Sequence, residues 1–129
     1  MKLWLSGQVE AEVGDAFRQT MNEIERLVND KIGNNDYGKG LASWDIIFFI
    51  LEGDSQESFN FDKRTATSDI RISLNCQNFK SLDLKERKKI FIESLIRSLD
   101  ELRDRGVTGV NWENLKADLS DIERDLINS

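Results

Sequence analysis

The chain of 129 residues contains no histidine, no proline and one cysteine, Cys76. Without histidine, Ser-His-Asp triads, Cys-His pairs and histidine-ligated metals are all excluded. A single cysteine excludes an intrachain disulfide and any clustered-thiolate zinc or iron–sulfur centre. The lack of proline removes PxxP motifs and cis-proline turns. Long hydrophobic runs are missing as well. The longest spans Ile46 to Leu51, far short of the roughly 20 residues of a membrane helix. The segment Met1 to Gly7 has one positive charge and too small an apolar stretch for an export signal, which needs roughly 7–15 apolar residues. The expected setting is cytoplasmic and reducing, away from membranes, with Cys76 a free thiol.

Charge is what the chain has in plenty. Charged residues make up 33% of it, 24 acidic against 18 basic, for a net charge of -6 and a pI near 4.7. That balance argues against direct nucleic-acid binding, which needs a basic face. The hydrophobic fraction of 39% still supports a real core. No linker, repeat or low-complexity stretch divides the sequence, so residues 1–129 are expected to form one domain.

Hydrophobic spacing organises the chain into seven elements. Lys2 to Val9 alternates, with Leu3, Leu5 and Val9 on one side and Lys2, Trp4, Ser6 and Gln8 on the other, as in a strand. Gly7 marks a bulge or a close backbone approach. Val13, Phe17, Met21, Ile24, Leu27, Val28 and Ile32 form one helical stripe, which should end in a left-handed cap near Gly33-Asn34-Asn35. Trp44 to Leu51 reads as a central strand covered on both faces. Ser58 to Asp62 and Thr67 to Cys76 alternate and read as further strands, with hairpins near Asp54 and near Arg64-Thr65. Leu84 to Arg105 is a broad-striped helix capped by Asp83, with Arg87 on its open face, and it stops at Gly106. A last helix runs from Asn111 to about Ile127. The order β-α-β-β-β-α-α implies an α+β domain, with three helices on one face of a mostly antiparallel sheet of about four strands. The other sheet face would carry Arg71, Ser73, Asn75 and Trp4.

No catalytic constellation emerges. Glu10 and Glu12 could pair, but no cleft-forming segment flanks them, and they read as charges at a helix start. The acids Glu52, Asp54 and Glu57 gather in a loop, where they could steer a partner. Asp118, Asp121, Glu123 and Asp125 read as a solvated helix face. Neither group has calcium-loop spacing, and no metal or cofactor is expected. Gly38 and Gly40 sit in a helix-to-strand loop, the reverse of a phosphate-binding loop, and read as a turn needing unusual dihedrals. Tyr37 beside them is either a lid on the core or a contact residue. Lys85, Arg87, Lys88 and Lys89 read as a solvated face, and Cys76 as an inert buried thiol. Trp4, pointing away from the helices, is a candidate interface anchor.

Several stretches together resemble one family. Lys2-x-Trp4-x-Ser6-Gly7, Phe17-Arg18, Asn22-Glu23-Ile24-Glu25, Asp36-Tyr37-Gly38-x-Gly40 leading to Trp44, and Leu95-Ile96-Arg97-Ser98-Leu99-Asp100-Glu101-Leu102 are similar to bacterial polymorphic-toxin immunity proteins of the immunity protein 44 type. Gln8 stands where the family pattern implies a glutamate. The resemblance implies a non-enzymatic bacterial protein that binds one cognate toxin, in a setting such as contact-dependent growth inhibition. The toxin would often be a nuclease with a basic surface, neutralised by blocking its active site or an exosite. The contact residues expected on this reading are Trp4, Asp36, Tyr37, Glu52, Asp54 and Glu57. Two alternatives stay open. One is a carboxylate-using enzyme or ligand-binding domain, with Glu10 or Asp45 as its acid. The other is a structural subunit pairing through its sheet face or an edge strand.

Overall fold

Apolar residues recurring at every second position of the N-terminus form β1, Lys2–Val9, at one edge of a four-stranded sheet. The computed structural model describes residues 1–50, 56–74 and 79–128. After β1 come a short 3-10 turn at Ala11–Val13 and helix α1, Gly14–Ile32. Strands β2, Ser43–Ile50, β3, Ser58–Asp62, and β4, Thr67–Ser73, follow. Helices α2, Leu84–Asp104, and α3, Trp112–Ile127, close the chain. Asp83 and Asn111 cap these two helices as expected: their side chains accept from the amides of Glu86 at 2.8 Å and Asn114 at 3.2 Å.

The fold is α+β with three helices and four strands, but the sheet is mixed, not mostly antiparallel. Its order is β1-β2-β4-β3. β1 pairs with β2 in parallel, β2 pairs with β4 in parallel, and only β3 and β4 are antiparallel. Two connections explain this. α1 carries the chain back across the sheet, so β2 starts at the same end as β1. β4 then inserts between β2 and β3, so β2 and β3 are not neighbours, as a hairpin near Asp54 would have made them. Asp54 itself lies outside the described residues, as does Cys76. The hairpin at residues 63–66 does join β3 to β4.

Inward residues of the sheet (Leu3, Leu5, Trp44, Ile46, Phe48, Ile50, Ile70 and Ile72) meet the helices in one continuous core. Phe91 of α2 lies at its centre. Its ring stacks on Phe48 at 4.5 Å and approaches Phe17 at 5.7 Å and Phe79 at 5.9 Å. The Trp44 indole N–H donates to the Ser98 hydroxyl at 3.2 Å, which settles the one polar atom of a fully buried ring.

Three details differ from the sequence reading. α1 stops at Gly33 in a right-handed conformation, not a left-handed cap. β2 is central, yet Ile47 and Phe49 are only half-buried, because no helix covers their face. Arg87 is buried, not on an open face. Its guanidinium donates to the Leu82 carbonyl and the Gln19 side chain and lies 5.9 Å from the Phe79 ring centroid. The long apolar stem explains the burial: it packs inward while the two terminal guanidinium nitrogens find oxygen acceptors, and the buried Nε has none among the described residues.

Candidate binding face

Strand alternation sends Lys2, Trp4, Ser6 and Gln8 of β1 to the sheet face that the helices leave open. Register then builds a surface from single residues. Trp4 lies opposite Asp45 on β2, Asp45 opposite Asp69 on β4, and Asp69 opposite Asn60 on β3. The next row is Ser6, Ile47, Arg71 and Ser58. Neighbouring strands lie roughly 4.8 Å apart, so Trp4 and the two carboxylates form one continuous strip. Trp4 is 50% exposed and is the largest apolar side chain in solvent among the described residues. The Lys2 ammonium sits 4.4 Å from its ring centroid. Asp45 is held by the Ser43 hydroxyl, which donates to it at 3.1 Å. An open depression of about 430 Å³ lies between Trp4, Ser6, Asp45, Ile47 and Asp69.

Like charges side by side on neighbouring strands repel and are destabilising. Asp45 and Asp69 make such a pair, and neither has an ion-pair partner among the described residues. The arrangement suits reception of a cationic group with an aromatic anchor alongside. Of the two acids weighed for catalysis, Asp45 stands on the open face, and Glu10 follows β1, its amide donating to the Ile50 carbonyl at 3.4 Å.

The remaining expected contact residues are placed elsewhere. Tyr37 belongs to the buried core cluster. It is 3% exposed, and its hydroxyl donates to the Asp118 carboxylate on α3. Burial, reinforced by that hydrogen bond, pushes its pKa up to about 12. Asp118 is thereby tied into the fold, not merely solvated. Asp36 is exposed beside Tyr37 and accepts from the Gly38 amide at 2.8 Å. Glu57 is held on both oxygens by Arg97, at 2.8 Å each, and it accepts from the Ser73 amide at 3.0 Å. The Arg97 hydrogen bonds hold its carboxyl below the usual range, against an opposing effect of burial. Glu52 and Asp54 lie outside the described residues. Missed by the sequence reading were Asp45 and Asp69 as a pair. Alternation puts Asp69 on a polar face, but the apolar run after Asp45 reads as covered on both faces, and only strand order sets the two side by side.

The motif residues of the N-terminal half hold this framework together. A Cβ on Gly7 would come within 2.3 Å of the Phe17 ring, and one on Gly40 within 2.0 Å of the Thr108 carbonyl. Gly38 has a φ of +90°, as a tight turn requires. The Gly40 amide donates to the Gly109 carbonyl at 2.8 Å, and Asn111 to the Tyr37 carbonyl at 2.7 Å. These bonds clasp the loop before β2 to the loop before α3.

The family model for immunity protein 44 matches residues 1–124. The chain belongs to the immunity protein 44 family. Members of a family of immunity proteins neutralise a cognate toxin, and that role extends to this chain. No curated protein and no solved structure matches it significantly. Among the described residues of this immunity protein, no helix is long and apolar enough to cross a membrane, and no cluster of metal-ligating side chains occurs.

Proposed function

We propose that this immunity protein neutralises its toxin by covering a basic functional surface of it, such as a nuclease active site or an adjacent exosite, with the open face of its sheet. The observation that carries this reading is the strip of Trp4, Asp45 and Asp69 on the face no helix covers. A half-exposed tryptophan beside unpaired carboxylates has the composition of a hot spot that receives an arginine or lysine. Blocking by coverage asks for no chemistry from the immunity protein. Gln8 lies on this same face, opposite Phe49, so the glutamate implied by the family pattern would add a further acid there. Asp36, Glu52 and Asp54 belong to the proposal as outlying steering charges. Glu57 is committed to Arg97, so reversing its charge tests stability before it tests binding.

The test is co-expression with the toxin domain encoded beside this gene, followed by affinity and rescue measurements. The native protein should co-purify with the toxin and restore growth. Trp4→Ala and the double variant Asp45→Asn/Asp69→Asn should each weaken binding at least tenfold with the fold retained, the double variant melting no lower than the native protein because it relieves the Asp45–Asp69 repulsion. Affinities within twofold of native would move the contact off this face. Failure of the native protein to bind any neighbouring toxin would remove the neutralisation mechanism itself.

A further inference from the structure

The two edges of the sheet are treated differently. On β1 the outer backbone is closed by side chains of α1. Asn29 accepts from the Leu3 amide at 2.8 Å and donates to the Leu3 carbonyl at 2.9 Å, and Glu25 accepts from the Leu5 amide at 2.7 Å. On β3 nothing comparable occurs among the described residues: the strand bonds to β4 on one side only. An open edge is a template for another strand, and proteins ordinarily block it.

A cavity of about 640 Å³ runs beside that open edge on the helix side, between β3, the end of α2 and the loop at Lys39-Gly40. Its charged residues are Lys39, Lys63 and Arg105, and no Asp or Glu lines it. Lys39 and Lys63 are exposed. Arg105 spreads over the Phe59 ring, 5.5 Å from its centroid, with one nitrogen 3.5 Å from Glu101. Phe59 and Phe61 give the cavity an apolar floor. Three cations gathered without a lining acid, in a chain of net charge -6, are the opposite of its average surface.

We propose that this cavity receives an acidic, extended segment of a partner protein, which joins β3 as a fifth strand. Main-chain hydrogen bonds to Ser58–Asp62 supply affinity in this mode, and alternate side chains supply specificity. The segment's carboxylates meet Lys39, Lys63 and Arg105, while its apolar residues cover Phe59 and Phe61. A small anion alone would use the cations and leave the strand edge unpaired. The site lies apart from the Trp4 face and does not depend on the toxin contact assigned there.

The probe is a labelled six-residue peptide of alternating valine and glutamate, titrated into the full chain at low salt by fluorescence anisotropy. Hydrogen exchange is read in parallel. The peptide should bind, and amides within residues 58–62 should gain protection. Lys39→Glu/Lys63→Glu should weaken binding at least tenfold, and so should replacing the peptide's glutamates by glutamine. Both lysines are exposed, so the variant should fold, which its melting curve checks. The proposal is overturned by absence of peptide binding, by affinity unchanged in the double variant, or by no new protection in β3. Displacement of the peptide by equimolar pyrophosphate would make this a small-anion site instead. Self-association of the protein alone, abolished in the double variant, would assign the edge to a second copy.

Discussion

Single residues divide between those that hold the fold and those left free to bind, and Tyr37 shows how firmly the first kind is tied. It is the chain's one tyrosine, so an ultraviolet titration reads it without overlap from another phenol. Its ring is buried and its hydroxyl donates to Asp118, so ionisation would leave a buried phenolate beside a carboxylate and break the bond between them. The folded phenol should therefore titrate near pH 12, not near 10. The sign follows. A pKa raised on folding contributes stability fully below the unfolded value of about 10, and that contribution is lost as pH rises through about 12. Tyr37→Phe keeps the ring and removes the bond, at a cost of about 1 kcal/mol at neutral pH. A titration midpoint near 10 in the folded protein, or no loss in Tyr37→Phe, would contradict this account. Trp4 is the contrasting case: half its surface is in water, and in its row the Asp69 carboxylate, beyond Asp45, has no side-chain bonding partner among the described residues.

At the scale of elements, periodicity made all seven legible, to within a residue or two for β1, α1, β3, α2 and α3. The 3.6-residue and two-residue repeats are local, and so are the caps at Asp83 and Asn111. What was not legible is pairing. A strand's alternation states which residues share a face but not which strand lies beside it, and the parallel β1, β2 and β4 arise from long-range crossovers. The same gap hid the candidate site: Trp4 was readable as outward, while Asp45 and Asp69 become its neighbours only through register. Arg87 was misread because a charged residue at helix spacing looks solvated until the partners of its head are known. The edge of β1 offers a test at this scale. Asn29 satisfies both the amide and the carbonyl of Leu3. Asn29→Ala leaves both without that partner and should cost about 1–3 kcal/mol in denaturant unfolding. A loss below about 0.5 kcal/mol would mean that water seals the edge equally well. The sealing also counts against β1 as a route to pairing between copies, the alternative that an edge strand first suggested.

Across the whole molecule, charge is the property the fold rearranges most. Cut at residues 40 and 82, the sequence carries -2 in each part, so the sequence itself holds no acidic end. Folding then sorts it. Lys39, Lys63 and Arg105 gather at one corner beside β3, while Asp45 and Asp69 meet on the open sheet face. Many other charges are consumed in half-buried pairs such as Lys88–Glu23 and Lys116–Asp100, and opposite charges so paired cancel each other's field at a distance. If the toxin is basic, as proposed above, it meets an acidic molecule whose cationic corner beside β3 lies away from the Trp4 face. Association should be steered, with a rate constant that falls roughly tenfold or more between about 0.02 M and about 0.5 M salt. Dissociation should change much less, because Trp4 and its apolar neighbours dominate the bound state. Stopped-flow mixing with the toxin domain separates the two rates. The double variant Asp45→Asn/Asp69→Asn should flatten the salt dependence of association, whereas Trp4→Ala should leave that slope intact and speed dissociation. An association rate that does not respond to salt would sink the steering argument, and a Trp4→Ala variant that altered only the association rate would remove Trp4 as the anchor.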